Sequence, residues 1–187
     1  VDFSTFLKNR RSIREFTDQV PPLAIIREII GDTCLAPTAR NGQPCSFVIV
    51  RDKAFIKRLS DESKGNLLAD LARRPGSFLK DYEARLRDES FNVFYNAPCV
   101  VFFTGPKDVG SLDVDIALTV SYFMFSAVSR GLGTCWIGLG SNIRSRQALD
   151  LMGVPENFRI VAPVIIGYPA AIPPALERHA PEILKVI

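Results

Sequence analysis

The sequence predicts an α+β protein, a mixed sheet flanked by helices in one domain over residues 1–187. Three observations carry that prediction. Four apolar runs of strand length alternate irregularly with helical patterns. Neither G-x-G-x-x-G nor G-x-x-x-x-G-K occurs, which argues against the parallel nucleotide-binding folds. A chain of 187 residues buries about 70% of its unfolded surface, enough for one sizeable core.

The elements follow in order. Asp2 caps a short helix carrying Phe3, Phe6 and Leu7 on one side. The basic stretch Arg10-Arg11-Ser12-Ile13-Arg14 comes next. Pro21-Pro22 opens a second helix, with Leu23, Ile26, Ile30 and Cys34 on one face, and Pro37 ends it. Residues 38–44 are polar, with Asn41-Gly42 as a turn signal. Ser46 to Arg51 reads as a buried strand and Lys53 to Leu59 as a short helix. Gly65 to Phe94 is the most polar part, with helical stretches either side of Pro75-Gly76; it is either a cover over a site or a solvated helical pair.

Cys99 to Thr104 is the second strand. Leu112 to Arg130 is a helix whose middle is apolar on nearly every side, so it is expected to be buried all round, one face by another subunit. Its most apolar run, Ile116 to Ala127, is too short to span a bilayer. Gly131 and Gly133 stop the helix. Thr134 to Leu139 is the third strand, Arg144 to Met152 a short helix, and Phe158 to Gly167 the fourth strand. The tail from Tyr168 is proline-rich and extended.

Composition limits the chemistry. His179 is the one histidine, which leaves little room for a histidine-based triad or a multi-histidine metal site. The net charge of +3 lacks the dense basic stripe of a nucleic-acid binder, but arginines outnumber lysines sixteen to seven, which suits one or two anion sites. Cys34, Cys45, Cys99 and Cys135 have no C-x-x-C spacing and read as reduced thiols. With no apolar signal core near the N-terminus, a soluble cytoplasmic protein is expected. Catalysis would then fall to a cofactor rather than to a side chain.

Four features stand out. Arg10, Arg11, Ser12 and Arg14 put guanidiniums and a hydroxyl within five residues. They form an anion site or a solvated basic patch. In a helix Arg10 and Arg14 share a face; in extended chain Ser12 and Arg14 do. Ala36 to Pro44 (APTARNGQP) offers Thr38, Asn41 and Gln43 in a loop between helix and strand. Gly131 to Leu139 (GLGTCWIGL) places Gly138 within a strand, where a flat ligand could approach the backbone, beside a Trp136 that either walls a pocket or belongs to the core. Arg178 in the tail is a second anion clamp or a surface charge. Asp113 and Asp115 read as helix N-terminal charges.

These features, in this order, resemble the nitroreductase family of FMN-dependent flavoenzymes. The matching pieces are RRSIREF (10–16), APTARNGQP (36–44), NAPCVVFF (96–103), the apolar helix running into GLGTCWIG (131–138), and IIGYPAAIPP followed by Arg178. The resemblance spans essentially the whole chain. It implies a mainly antiparallel sheet and a homodimer with two shared FMN sites. Arg10 and Ser12, with Arg11 beside them, resemble residues holding the FMN phosphate and ribityl region. Arg14 resembles the basic residue near the flavin pyrimidine, and Arg178 the C-terminal phosphate clamp. Pro37, Thr38, Ala39 and Asn41 resemble the loop that reaches the partner's flavin. Trp136, Ile137, Gly138 and Leu139 resemble the strand lying against the ring, with backbone N–H groups facing N5 and O4.

The implied activity is ping-pong: NADH or NADPH gives hydride to flavin N5, and a nitroaromatic, quinone or enone takes the electrons. No metal, nucleic-acid or membrane partner is implied. The sequence departs from the family pattern at Cys45, often a tryptophan, and at Gly138, a glutamate in one branch. Alternatives are a flavin-storage dimer without turnover, a dehalogenating or dehydrogenating family member, and a ligand-free dimer.

Overall fold

The structure, a computed structural model, describes residues 2–187. Asp2 opens α1 (Phe3–Asn9) by accepting the Thr5 N–H at 3.0 Å, the cap its sequence position calls for. Pro22 precedes α2 (Leu23–Thr33), and β1 is Ser46–Val50. Asp52 caps α3 (Lys53–Arg73) through the Phe55 N–H, and α4 is Glu83–Arg87. β2 (Cys99–Pro106), α5 (Leu112–Ser129), β3 (Gly133–Trp136), α6 (Arg146–Leu151) and β4 (Phe158–Gly167) complete the order.

The strands form one sheet in the order β1-β2-β4-β3, and every neighbouring pair is antiparallel. Among the described residues, the parallel component is one bridge between Ser12 and Thr134. Side chains alternate across the sheet. Val100 and Phe102 of β2 and Ile165 of β4 join Ile56 and Leu59 of α3 and Ala148 of α6 in one core. Cys99, Val101 and Phe103 of β2, with Val164 and Ile166 of β4, face α2 and α5 in the other. Both central strands are therefore buried on both faces, which is why they read as continuous apolar runs.

Two expectations are corrected. The helix expected over Lys53–Leu59 runs on to Arg73, straight through Gly65. Its buried face includes Ser60, Ser63 and Lys64, which breaks the apolar period. Each is satisfied: the Val93 N–H donates to Ser60 Oγ, Ser63 Oγ donates to the Leu139 carbonyl, and Lys64 Nζ donates to the carbonyls of Asp88 and Phe91 at 2.9 and 2.8 Å.

The third strand stops at Trp136, and Gly138–Ser141 is a 3-10 turn, so Gly138 is not within a strand. Trp136 is 56% exposed and so is not a core residue.

In the single chain α5 is buried on one face only. Leu112, Ile116, Thr119, Phe123 and Ala127 pack inward, while Val114, Leu118 and Tyr122 are exposed. The 18-residue helix, of mean hydropathy 1.4, is in fact long and apolar enough to cross a membrane by length and composition. Its inward face is packed on β2 and β4, as in the core helix of a globular protein.

Candidate functional site

The basic segment after α1 is fixed by backbone pairing. α1 ends at Asn9, and residues 12–17 run extended beside the end of the sheet, so Ser12 and Arg14 share a face. The Ile13 N–H donates to the Thr134 carbonyl at 3.0 Å, the Thr17 N–H to the Tyr168 carbonyl at 2.9 Å, and the Ala170 N–H to the Glu15 carbonyl at 3.0 Å.

Two glycines make room for this strap. A Cβ on Gly133 would stand 2.8 Å from the Ile13 Cβ, and one on Gly167 would stand 2.7–2.8 Å from Pro98 and Phe16. Gly133 is therefore a close-approach residue, while Gly131, at φ +74°, is the one that closes α5. Burying Ile13 contributes about 1.5–3 kcal/mol to holding the strap down.

The strap gathers positive charge that no described carboxylate neutralises. Arg87, Arg130, Arg144, Arg146 and Arg159 are paired with carboxylates. Among the described residues, no carboxylate lies within ion-pair distance of Arg10, Arg11, Arg14 or Arg178. Cys135 follows Thr134 in β3, and its thiol is buried. Burial raises its pKa; Arg14, the Ser12 hydroxyl and Arg10 pull the other way.

Arg11 turns back on α1, donating to the carbonyls of Lys8 and Arg10 at 2.6 and 2.9 Å. Its Nε and the Thr134 Oγ1 are buried without hydrogen-bond partners. Arg14 lies over the Tyr95 ring, 5.6 Å from its centroid, and Arg85 lies over Tyr95 and Phe91 at 5.8 and 4.4 Å. Tyr95 and Asn96 both take left-handed backbone, φ +53° and +52°, a strained pair supported by Asn92.

Beside the strap, the Trp136 ring stands over Gly138, and Trp136 closes a groove of about 310 Å³ with Ile116, Val120 and Met124 of α5. The turn at Gly138–Ser141 begins there, so the N–H groups of Gly138 and Leu139 have no partner inside the turn. Ile137 is buried, and its N–H donates to the Pro163 carbonyl at 2.9 Å.

Above this turn lies the polar region expected over residues 65–95. Leu67, Leu71, Leu79 and Leu86 form a small core that includes Leu139 at its edge. Asn66 Nδ2 donates to the Asn142 carbonyl at 2.8 Å, and Asp70 receives both guanidinium arms of Arg144. That contact holds the Asp70 carboxyl below its usual range.

The loop Pro37-Thr38-Ala39-Arg40-Asn41 sits elsewhere. It precedes β1, at the opposite edge of the sheet from β3, three strand spacings or about 14 Å across. The buried Asp115 of α5 anchors it by accepting the Ala39 N–H and the Ser111 hydroxyl, both at 2.8 Å. Asp115 is thus a loop anchor beyond the helix-charge role its position suggests. Arg40, Asn41 and Gln43 are left-handed, and Thr38 Oγ1 accepts the Gln43 N–H at 3.1 Å.

Arg178 lies in the extended, exposed tail with no hydrogen bond or ion pair among the described residues and is not brought to Arg10. One chain therefore unites Arg10, Ser12, Arg14 and Trp136–Leu139. It leaves Pro37–Asn41 and Arg178 apart from them.

Unpaired arginines, orphaned polar atoms and free turn N–H groups beside an exposed indole suit a flat, phosphorylated, electron-accepting ligand. An α+β fold carrying such a cluster defines a cofactor-dependent enzyme class. The Nitroreductase family model matches residues 7–168, and the chain belongs to that family. It is 29% identical over 180 residues to an FMN reductase [NAD(P)H] of Bacillus subtilis, covering 93% of this chain and 70% of that one. It is 22% identical over 197 residues to an iodotyrosine deiodinase of Nematostella vectensis, covering 100% and 75%. A nitroreductase structure with bound FMN from Bacteroides fragilis superposes with a TM-score of 0.83 at 22% identity, over 100% of this chain and 99% of that one.

Proposed function

We propose that this protein is an FMN-dependent oxidoreductase that passes hydride from NADH or NADPH to a nitroaromatic, quinone or enone acceptor in a ping-pong cycle. The observation that carries the reading is the uncompensated Arg10–Ser12–Arg14 edge held against β3 in a nitroreductase-family chain. FMN, when bound, supplies the two-electron chemistry that no side chain here provides.

The chain's own residues do the rest. Arg10 and Ser12 hold the phosphate and ribityl region. Arg14, steadied by the Tyr95 ring, sets positive charge where a reduced flavin gathers negative charge. The N–H groups of Gly138 and Leu139 donate to the polar edge of the ring, so no acid–base side chain is needed. Residues 65–95 cover the site and exclude water.

The site is completed by a second copy of the chain. The unpartnered Val114, Leu118 and Tyr122 face of α5 supplies interface, and the partner brings its Pro37–Asn41 loop and its tail arginine. The cytoplasm, where the four free thiols persist, is the proposed location.

The test is the visible spectrum of the purified protein, followed by anaerobic NADH or NADPH. Flavin absorbance that bleaches with either nucleotide and returns with a quinone or nitroaromatic is expected. A colourless protein that gains no absorbance on adding FMN sinks the proposal. The kinship to a deiodinase favours a second reading, reductive dehalogenation, which a halogenated phenol as acceptor would reveal by halide release.

A further inference from the structure

Two cysteines have no part in the site described above. Cys34 caps the C-terminal end of α2, and Cys45 stands one residue before β1, so the pair brackets the loop of residues 35–44. The Thr38–Gln43 hydrogen bond ties that loop across its neck. Both thiols line one cavity of about 150 Å³, together with Thr33, Thr38, Gln43 and Thr119. They differ in access: Cys34 is exposed and Cys45 half-buried. Burial, and then the nearness of Cys34, push Cys45 up to about 12, so it rests as a thiol. Cys99 and Cys135 are buried in the sheet and do not share this cavity.

We propose that Cys34 and Cys45 form a peroxide-oxidisable dithiol site that closes as an intramolecular disulfide across the neck of the 35–44 loop. The accessible sulfur reacts first. Cys34 sulfur attacks the O–O bond of hydrogen peroxide; one oxygen goes to sulfur as sulfenic acid, and the other leaves with the thiol proton as water. Cys45 sulfur then attacks Cys34 sulfur, and its proton leaves with the departing hydroxyl as a second water. Two thiols lose two electrons, and one peroxide becomes two waters. The protonated resting state of Cys45 reserves it for the second step.

The disulfide pins both ends of a loop that already holds Arg40, Asn41 and Gln43 in left-handed backbone. Any consequence for flavin rests on the proposed function, because that loop is the one offered to the partner's site.

The experiment treats the purified full chain, with whatever cofactor it carries, with a small excess of hydrogen peroxide. Alkylation and non-reducing peptide mapping follow. The expected product is a peptide pair joined through Cys34 and Cys45, lighter by two hydrogens and released by dithiothreitol. Cys45→Ser should stop the reaction at a Cys34 sulfenic acid that dimedone traps, and Cys34→Ser should leave Cys45 alkylatable. Tryptic cleavage after Arg40 should slow several-fold on oxidation and recover on reduction. Cys34 sulfinic acid beside an alkylated Cys45 would overturn the proposal, as would links between Cys34 residues of different chains alone. The mapping does not depend on flavin. A colourless protein that forms the disulfide would defeat the proposed function and leave this site standing.

Discussion

The two edges of the sheet hold their polar residues by opposite means. At the β3 edge, the Arg10–Arg14 strap is pinned by main-chain pairing to Thr134 and by glycines that let Ile13 and Phe16 lie flat. At the β1 edge, the 36–44 loop hangs on one buried carboxylate, Asp115, and carries three left-handed residues. The first edge is rigid and preorganised, as the proposed phosphate clamp requires. The second stores strain of order 1 kcal/mol or more per residue and is the edge proposed to meet a partner chain.

Four substitutions break or sharpen that contrast. The largest effect is expected from Gly133→Ala. Its Cβ meets the Ile13 Cβ, which cannot swing away, so the strap must lift. Destabilisation of about 1–3 kcal/mol is expected in urea unfolding, with tenfold or greater loss of FMN affinity by fluorescence titration. Next, Asp115→Ala removes the acceptor of two donors and should cost about 1–3 kcal/mol. Its signature is faster tryptic cleavage after Arg40, with the strap undisturbed.

Third, Arg10→Ala should weaken FMN binding by about tenfold to a hundredfold, the worth of one charged hydrogen bond, and leave urea stability within about 0.5 kcal/mol. The smallest effect is expected from Asp70→Asn, because its partner Arg144 is partly exposed. The Asp70 pKa is lowered in the folded chain, so its stabilisation is complete above the ordinary carboxylate range. It is lost as pH falls through the lowered folded value. The difference from the parent protein in thermal melts should therefore be flat at neutral pH and shrink on acidification below about 4.

How much of this was legible in the sequence depends on what each residue answers to. β2 and β4 were readable because apolar runs mark strands buried on both faces, and β1 because its apolar run packs against both cores at the sheet edge. α3 was not, because Ser60, Ser63 and Lys64 interrupt its apolar inner face and are satisfied by distant carbonyls and a backbone N–H that no local pattern announces. Arg10, Ser12 and Arg14 were legible as a cluster, but whether the chain there is helical or extended was decided by Thr134, far along the sequence. Gly133 read as a helix stop because its close approach to Ile13 is invisible without the fold. Tyr95 carried no signal beyond an asparagine after it that tolerates left-handed backbone. Pro37–Asn41 and Arg178 stand apart from the strap in one chain, and only the family resemblance connects them.

The central claim is that the rigid edge of one chain and the strained loop of another make one flavin site. Mixing two disabled chains tests it directly. Arg10→Glu spoils the β3 edge, and Ala39→Trp blocks the loop from an exposed position without touching the core. Alone, neither variant should hold FMN. In an equal mixture after subunit exchange, half the dimers are mixed and each regains one intact site, so FMN binding should return to about a quarter of the parent's capacity. Full absence of recovery, with mixed dimers confirmed by native mass spectrometry, would contradict a site shared between chains.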